Sequence, residues 1–394
     1  MLLWTEETSK RQGFDLKNIN FEGNFGLERE TLRVDKNNRL AQSLHPFEED
    51  CFARDFAENQ LEIVTPVCSS TDKLIEKLEE LDKQAREILS KTGEKLWLCS
   101  NPPYFASEDE IPVANYTGEQ TQRTKYREYL ARRYGKRQML YSGIHFNFSF
   151  KGEVDNEKYF KLFKYLNMYS YLLVLLTGAS PVFDGSLIGK SGNYFDGYAS
   201  RRNGKKGYWN KFLPILDYSN VLSYVNSVNR YIDKGKLYSC AELYMPVRIK
   251  TKNGSDDFSA LVSEGINHIE LRMFDVNPLS HLGIIKEDLD FAHYLILYLL
   301  PKEDFDFSPI KQIKAIKRHK NAAQYKPPKS IEKQAVKMLN DMKLYFEDYP
   351  RVCKNIDYQL DKLQNENRYC IRILKEYDNL NKNVFAKKFR KKTC

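Results

Sequence analysis

Six side chains in this sequence have the types and the spacing to hold divalent cations. Glu28 and Glu30 alternate in Phe25-Gly-Leu-Glu-Arg-Glu, so on a strand they share a face, about 7 Å apart. That distance is long for chelating one ion, but it suits one ion each, or two ions bridged by a shared ligand. Asp55 and Glu62 flank Phe56-Ala-Glu-Asn-Gln-Leu, and their odd separation demands a bend if both face one site. His145 and Glu270 lie on two further alternating runs. In His145-Phe-Asn-Phe-Ser-Phe the phenylalanines fall on one face and His145, Asn147 and Ser149 on the other. In His268-Ile-Glu-Leu-Arg-Met, Ile269, Leu271 and Met273 form the apolar face, with His268, Glu270 and Arg272 opposite. Hard carboxylate oxygens with one imidazole suit Mg2+ or Mn2+ rather than a thiolate-seeking metal. Several such carboxylates with arginines nearby fit the handling of a nucleoside triphosphate. Each residue alone has a plainer reading, as a strand Glu facing water or a hydrogen-bonded core His.

Gly185-Ser-Leu-Ile-Gly-Lys-Ser imitates a phosphate-binding loop but has three residues between its glycines where the motif needs four. No helical pattern opens after Ser191, so the Gly-rich run from Thr177 to Gly207 is read as a mobile loop over a site.

The elements that must position these residues can be read from periodicity. Residues 20–68 read as short strands and turns. Leu74, Leu78, Leu81, Ala85 and Leu89 recur at helical spacing behind Ser70 or Thr71 as cap. Helices are predicted near 122–133, 157–177 and 219–233, and strands at 145–150, 241–250 and 266–275. Beyond about 285 the pattern is mainly helical. Strands and helices mix without βαβ alternation, so the fold class is α+β.

The chain has 394 residues and a net charge of +9, long enough for a sizeable core. Residues 311–394 hold 22 Lys and Arg against 9 Asp and Glu, so the basicity belongs to the C-terminal segment. We divide the chain into a catalytic domain, 1–300, and a basic, mainly helical segment, 301–394. Without a recognition motif, that segment, ending Phe389-Arg-Lys-Lys-Thr-Cys, reads as a solvated face and not as a nucleic-acid surface. No apolar run approaches the roughly 20 residues of a membrane span. Met1-Leu-Leu-Trp is followed by Glu6 and Glu7, unlike a signal peptide. Seven scattered cysteines without C-x-x-C fit reduced thiols in the cytoplasm.

Several longer motifs carry a family resemblance. Phe25-Gly-Leu-Glu-Arg-Glu-Thr-Leu-Arg-Val, Asp55-Phe-Ala-Glu-Asn-Gln-Leu-Glu-Ile-Val-Thr-Pro-Val and Tyr126-Arg-Glu-Tyr-Leu-Ala-Arg-Arg-Tyr-Gly resemble bacterial-type glutamate–cysteine ligase. So do Ser142-Gly-Ile-His-Phe-Asn-Phe-Ser, Glu242-Leu-Tyr-Met-Pro-Val-Arg and Ile269-Glu-Leu-Arg-Met-Phe-Asp-Val-Asn-Pro. They follow the family's order over residues 21–285.

The resemblance implies a fold related to glutamine synthetase, with a curved, funnel-like, mainly antiparallel sheet. It implies ATP-dependent coupling of the L-glutamate γ-carboxylate to the amine of L-cysteine, the first step of glutathione biosynthesis, with Mg2+ or Mn2+ as cofactor. Its metal ligands fall on Glu28, Glu30, Asp55, Glu62, His145 and Glu270. Its cysteine pocket falls on Phe56, Tyr126, Arg202, Tyr208 and Tyr244, with Arg272 beside the transferring phosphoryl group. Arg127 and Arg248 lie inside matching motifs and are expected to contact phosphate or carboxylate. Tyr141 stands where the family has an aliphatic residue lining the acceptor pocket, Arg54 replaces a small hydroxyl residue, and Asn101 stands where Met is frequent. The change at Tyr141 leaves a second reading, a γ-glutamyl ligase with another amine acceptor; a third is a non-catalytic descendant that binds glutamate or nucleotide. The chain ends at Cys394, short of the family's usual extent and without an ATP-grasp module, so part of the C-terminal region is expected to be missing or replaced. A monomer or small homo-oligomer acting on small molecules is expected.

Overall fold

Period-two alternation makes strands of short runs within residues 24–149 and 247–275, and 3.6-residue periodicity makes the helices, most of which cover one face of the sheet those strands form. A computed structural model describes residues 19–379, except 49, 255 and 256. The readings of Met1–Trp4 and of the basic end Phe389–Cys394 lie outside the described residues.

In chain order the elements are β1 (Asn24–Val34), β2 (Phe52–Ala53), β3 (Gln60–Val64), α1 (Thr71–Ser90), β4 (Lys95–Trp97), α2 (Thr121–Tyr134), β5 (Gly143–Ser149) and α3 (Asn156–Thr177). Then come β6 (Val182–Asp184), β7 (Asn193–Phe195), α4 (Val221–Asp233), β8 (Val247–Thr251), α5 (Ser259–Ser263) and β9 (Ile266–Asp275). Five helices follow: α6 (Lys286–Leu299), α7 (Pro309–Ala322), α8 (Lys329–Tyr345), α9 (Pro350–Gln364) and α10 (Tyr369–Asn379).

Seven strands form one antiparallel sheet in the order β2-β3-β1-β5-β9-β8, with β4 pairing the far end of β1. The α+β expectation and the antiparallel sheet both hold. Phe25, Leu27, Phe146, Phe148, Ile269 and Leu271 point to the helix side and are at most 1% exposed. Helix α1 starts where the Ser70 side chain accepts from Lys73 N, and it buries Leu74, Leu78, Leu81, Ala85 and Leu89 against the sheet. Helix α3, capped by Asp155, buries most of its circumference because β8 and β9 lie on one side of it and α6 and α7 on others.

Two buried ion pairs tie the strand to this layer. Arg29 Nη2 lies 2.6 Å from Asp82 of α1, and Arg33 Nη1 lies 2.6 Å from Glu94. The hydrophobic core continues without a break from these strands through Phe307, Ile316, Leu339, Ile356 and Leu360.

Two elements differ from the sequence reading. The predicted strand at 241–250 begins only at Val247; Cys240–Glu242 is a 3-10 turn. Side chains take the backbone groups that a ladder would need: Arg248 donates to the Ala241 and Leu243 carbonyls, while Asn210 donates to Glu242 O and accepts from Tyr244 N. The Gly-rich run, read as a mobile loop, contains a hairpin of β6 and β7. Its turn is made by Asp184, which accepts from Ser186 N, and by Gly189 at φ +69°. No helix follows Ser191, in line with the rejection of a phosphate-binding loop.

Candidate active site

Strand register gathers the acidic residues. Glu28 is opposite His145, Glu30 opposite Glu62, and Asn147 opposite Glu270, and cross-strand partners share a face. The pairing of β5 with β9 shifts between Ile144 and Phe146, so a bulge lies beside His145, a device that re-aims side chains next to functional sites. His145 Nδ1 is 2.9 Å from Glu28 Oε2 and 3.3 Å from Glu270 Oε1, and its Nε2 is 3.4 Å from Glu30 Oε1. Two groups of potential ligands result, Glu28–His145–Glu270 and Glu30–Glu62–His145, each with ligand atoms within 4.8 Å of one another. The imidazole belongs to both. Asp55 follows β2 before the turn into β3, outside those two groups but close enough for its charge to act on Glu30 and Glu62.

The electrostatics divide the cluster. Burial pushes the Glu62 carboxyl well above its ordinary range, reinforced by the charges of Glu28, Asp55 and Glu30. Burial and Asp55 likewise raise Glu30. Glu270 is fully buried, but Arg272, Lys250 and His145 outweigh that burial and hold it well below the usual carboxylate range. Burial and Arg272 work against a proton on His145, yet Glu30, Glu270 and Glu28 prevail and raise it to about 9. Carboxylates crowded this closely need positive charge between them. His145 Nε2 is buried without a hydrogen bond, an atom left over for a ligand. The donor set therefore fits an oxygen-seeking divalent cation.

The arginines separate by role. Arg272 Nη1 is 3.0 Å from both Glu270 oxygens, on the site face. Arg202 Nη1 donates to the Arg272 and Phe274 carbonyls, and its Nη2 lies against Gly143, where a Cβ would come within 2.2 Å. Arg127 is turned to the chain: its Nε, Nη1 and Nη2 donate to the carbonyls of Asp55, Arg123 and Arg54. It braces the turn that carries Asp55. Arg248, expected on phosphate or carboxylate, holds the 241–243 turn with Nε and Nη2.

Beside the cluster is a group of packed aromatic side chains. Phe56 and Tyr244 are buried with Tyr126 and Tyr208 packed against them, and the Tyr208 and Tyr244 rings are 4.2 Å apart. Tyr141 stands at its edge with Phe183, Leu187 and Tyr194 of the hairpin, and its hydroxyl accepts from Arg201 Nε at 2.9 Å. Of the two other departures, Arg54 pairs with Glu58 at 3.1 Å, and Asn101 donates to the Ser180 and Val182 carbonyls below the hairpin.

Three participants were not singled out from sequence. Lys250 Nζ lies 3.7 Å from Glu270, Asn147 Nδ2 donates to Glu28 at 2.9 Å, and Asp275 accepts from Ala179 N, Ser180 Oγ and Ser200 Oγ. Alternation already put Asn147 on the site face, and Asp275 closes a motif quoted above; for Lys250, two residues beyond Arg248, the only signal was its place in the strand.

The glutamate–cysteine ligase family profile matches residues 14–239 and 211–323. The chain belongs to the glutamate–cysteine ligase family. It is 31% identical over 350 residues to the glutamate–cysteine ligase of Clostridium acetobutylicum, covering 72% of each chain. It is 36% identical over 342 residues to the glutathione biosynthesis bifunctional protein of Listeria monocytogenes, covering 78% of this chain and 44% of that one. This family member thus spans less than half the length of the bifunctional relatives it matches. In fold it is similar to the glutamate–cysteine ligase of Francisella tularensis, with a TM-score of 0.85 at 22% identity over 95% of this chain and 89% of that one. The bifunctional glutathione synthetase of Pasteurella multocida gives a TM-score of 0.81 at 24% identity, over 95% of this chain and 53% of that one.

Proposed function

We propose that this chain is an ATP-dependent ligase that joins the γ-carboxylate of L-glutamate to the amine of L-cysteine, giving γ-glutamylcysteine, ADP and phosphate. The observation that carries the reading is the pair of carboxylate–imidazole groups on one face of the sheet, with Arg272 at their edge and an aromatic cluster alongside. Glu28, His145 and Glu270 would hold one Mg2+ or Mn2+, and Glu30, Glu62 and Asp55 a second, since a neutral imidazole offers a lone pair to one ion only. Ions bound there would supply positive charge to the phosphates of the nucleotide.

A carboxylate does not condense with an amine in water. A glutamate γ-carboxylate oxygen attacks the γ-phosphorus of ATP, the bond to ADP breaks, and an acyl phosphate forms. Arg272 supplies positive charge beside the transferring group. The neutral amine of the acceptor then attacks the acyl carbon, its proton passes to a base or to a phosphate oxygen, and the tetrahedral intermediate expels phosphate. Phe56, Tyr126, Tyr208 and Tyr244 wall the acceptor's small side chain, and Arg202 meets its carboxylate. Arg127 and Arg248 shape the backbone around this pocket. We place the ligating machinery in residues 1–300 and give 301–394 a supporting part, in a cytoplasmic protein acting as a monomer or small homo-oligomer without nucleic acid.

Tyr141 favours one second reading, the same chemistry with another amine. Its phenol, tied to Arg201, puts a ring on the pocket wall where an aliphatic side chain would leave a different volume. The deciding experiment is ADP release by the purified chain with ATP, Mg2+ and glutamate, against cysteine and a panel of amines, with product mass confirmed. Cysteine-dependent turnover giving γ-glutamylcysteine is the expected result. Turnover only with another amine selects the second reading, and none with any amine, once Mn2+ binding is verified, sinks both.

A further inference from the structure

Arg202 lies on a loop that the sheet alone does not hold. Ala199 N and Ser200 N both donate to the Ala323 carbonyl, and Tyr325 N donates to Gly197 O, so the stretch after α7 runs along the loop as a backbone strip. Deeper in, α7 contributes His319, which is fully buried. Its Nδ1 is 2.9 Å from Ser170 Oγ of α3, and its Nε2 is 3.3 Å from Asn203 Oδ1, on the residue next to Arg202. The Trp209 ring packs edge-on against the imidazole at 5.3 Å.

The proton positions in this chain of contacts follow from valence. Asn203 Nδ2 already donates to Ser200 Oγ and to the Met273 carbonyl, which fixes the amide so that Oδ1 faces His319. An amide oxygen can only accept. The Nε2 atom must therefore carry the hydrogen, which leaves Nδ1 as an acceptor toward the Ser170 hydroxyl; that hydroxyl divides its one hydrogen between Nδ1 and the Asn167 carbonyl 3.0 Å away. Burial, helped by Lys320 and Arg202, depresses the imidazole to about 3, so the ring is neutral at physiological pH and this single tautomer persists. Ser200 Oγ in turn donates to Asp275, whose carboxyl faces the Arg202 charge. The result is one directed line of donors, Ser170 to His319 to Asn203 to β9, with Arg202 beside its end.

We propose that His319 is a positioning residue for the acceptor site: through Asn203 it fixes the loop that aims Arg202 at the acceptor's carboxylate. This rests on the reading of Arg202 given under the proposed function. It gives a residue of the basic helical half a part in substrate recognition, at a distance and without touching substrate.

Two polar substitutions separate aiming from mere packing. Glutamine places its amide nitrogen where Nε2 stands, so His319→Gln keeps the donor to Asn203. Asparagine places its amide where Nδ1 stands, so His319→Asn reaches Ser170 but not Asn203. Steady-state kinetics of the full chain with cysteine, glutamate, ATP and Mg2+ should give His319→Gln an acceptor KM near the wild-type value. His319→Asn should raise it about tenfold, equivalent to about 1.4 kcal/mol, with kcat and the KM values for glutamate and ATP nearly unchanged. Equal acceptor KM in the two variants overturns the proposal, as does a joint rise in all three KM values. Loss of folded protein in His319→Asn alone also overturns it, by assigning the histidine to folding. Arg202→Lys in the same assay keeps the two claims apart. An unchanged acceptor KM there refutes the Arg202 reading itself, whereas a raised one beside an unaffected His319→Asn refutes only the anchor.

Discussion

Glu270 shows how much one carboxylate can organise. It is fully buried and is approached by His145 at 3.3 Å, Arg272 at 3.0 Å and Lys250 at 3.7 Å. Replacing it with glutamine would remove the carboxylate paired with Arg272 and one of the three around His145, and take away an anionic ligand oxygen, while altering the volume little. Truncating a desolvated, hydrogen-bonded charge pair typically costs about 2–5 kcal/mol, so turnover in Glu270→Gln should fall about a hundredfold or more. Mn2+ binding followed by electron paramagnetic resonance should lose an ion together with activity; full turnover would remove Glu270 from the ligand set. Residues such as Glu270, Glu28 and His145 were legible in the sequence because strand alternation fixes the face on which a side chain must lie. Arg127 and Arg248 were not, because their partners are carbonyls in irregular turns. A carbonyl belongs to every residue type and leaves no mark in the sequence.

At the scale of elements, β1 is a strand with two occupations. Its even-numbered Glu28 and Glu30 face the site, and its odd-numbered Arg29 and Arg33 reach into the helix side to meet Asp82 and Glu94. Arg29 is wholly buried, so Asp82→Asn would leave a guanidinium without its anion. Breaking a buried pair from one side costs about 3–5 kcal/mol. Urea denaturation of Asp82→Asn should show a lower midpoint with an unchanged slope; a midpoint like that of the wild type would mean that the Leu282 carbonyl, which already accepts from Arg29 Nη1, suffices for the guanidinium. The same alternation made β5 and β9 legible almost to their ends. It failed for the β6–β7 hairpin, whose short strands are separated by Gly185, Gly189 and Gly192 and offer no periodic apolar face, and for residues 241–246, where Asn210 and Arg248, distant or on the next strand, satisfy the backbone.

At the scale of the whole molecule, two buried histidines couple folding to acidity. Desolvation holds His293 at about 4 and His319 at about 3, against an ordinary value of 6.5. Above pH 6.5 both are neutral, folded or unfolded, and neither affects stability. Below it the unfolded chain takes up protons that the folded chain refuses, so stability falls until the folded values are reached. Glu30, Glu62 and His145, all raised, act in the opposite sense, so the test is a difference. The stability of the wild type minus that of His319→Gln, measured by calorimetry, should be flat above pH 6.5. It should then decline by up to about 1.4 kcal/mol per pH unit toward pH 4. A flat difference throughout would mean that His319 takes up its proton in the native protein as readily as in the unfolded chain.

The sequence changes sign near residue 310, a place where charge alone would put a linker between an acidic and a basic part. The structure gives that stretch another character. Lys161 donates to the Leu300 carbonyl at 3.0 Å, Tyr165 to the Glu303 carbonyl at 2.5 Å, and Lys164 pairs with Asp304 at 2.6 Å, all from α3. Phe305 packs on Tyr165, and Phe307 is buried against Tyr218. Where a hinge would be expected there is a splint, bound to the helix that backs the sheet. Charge and packing draw different borders through this protein, and among the described residues it has no seam at the electrostatic one along which to open.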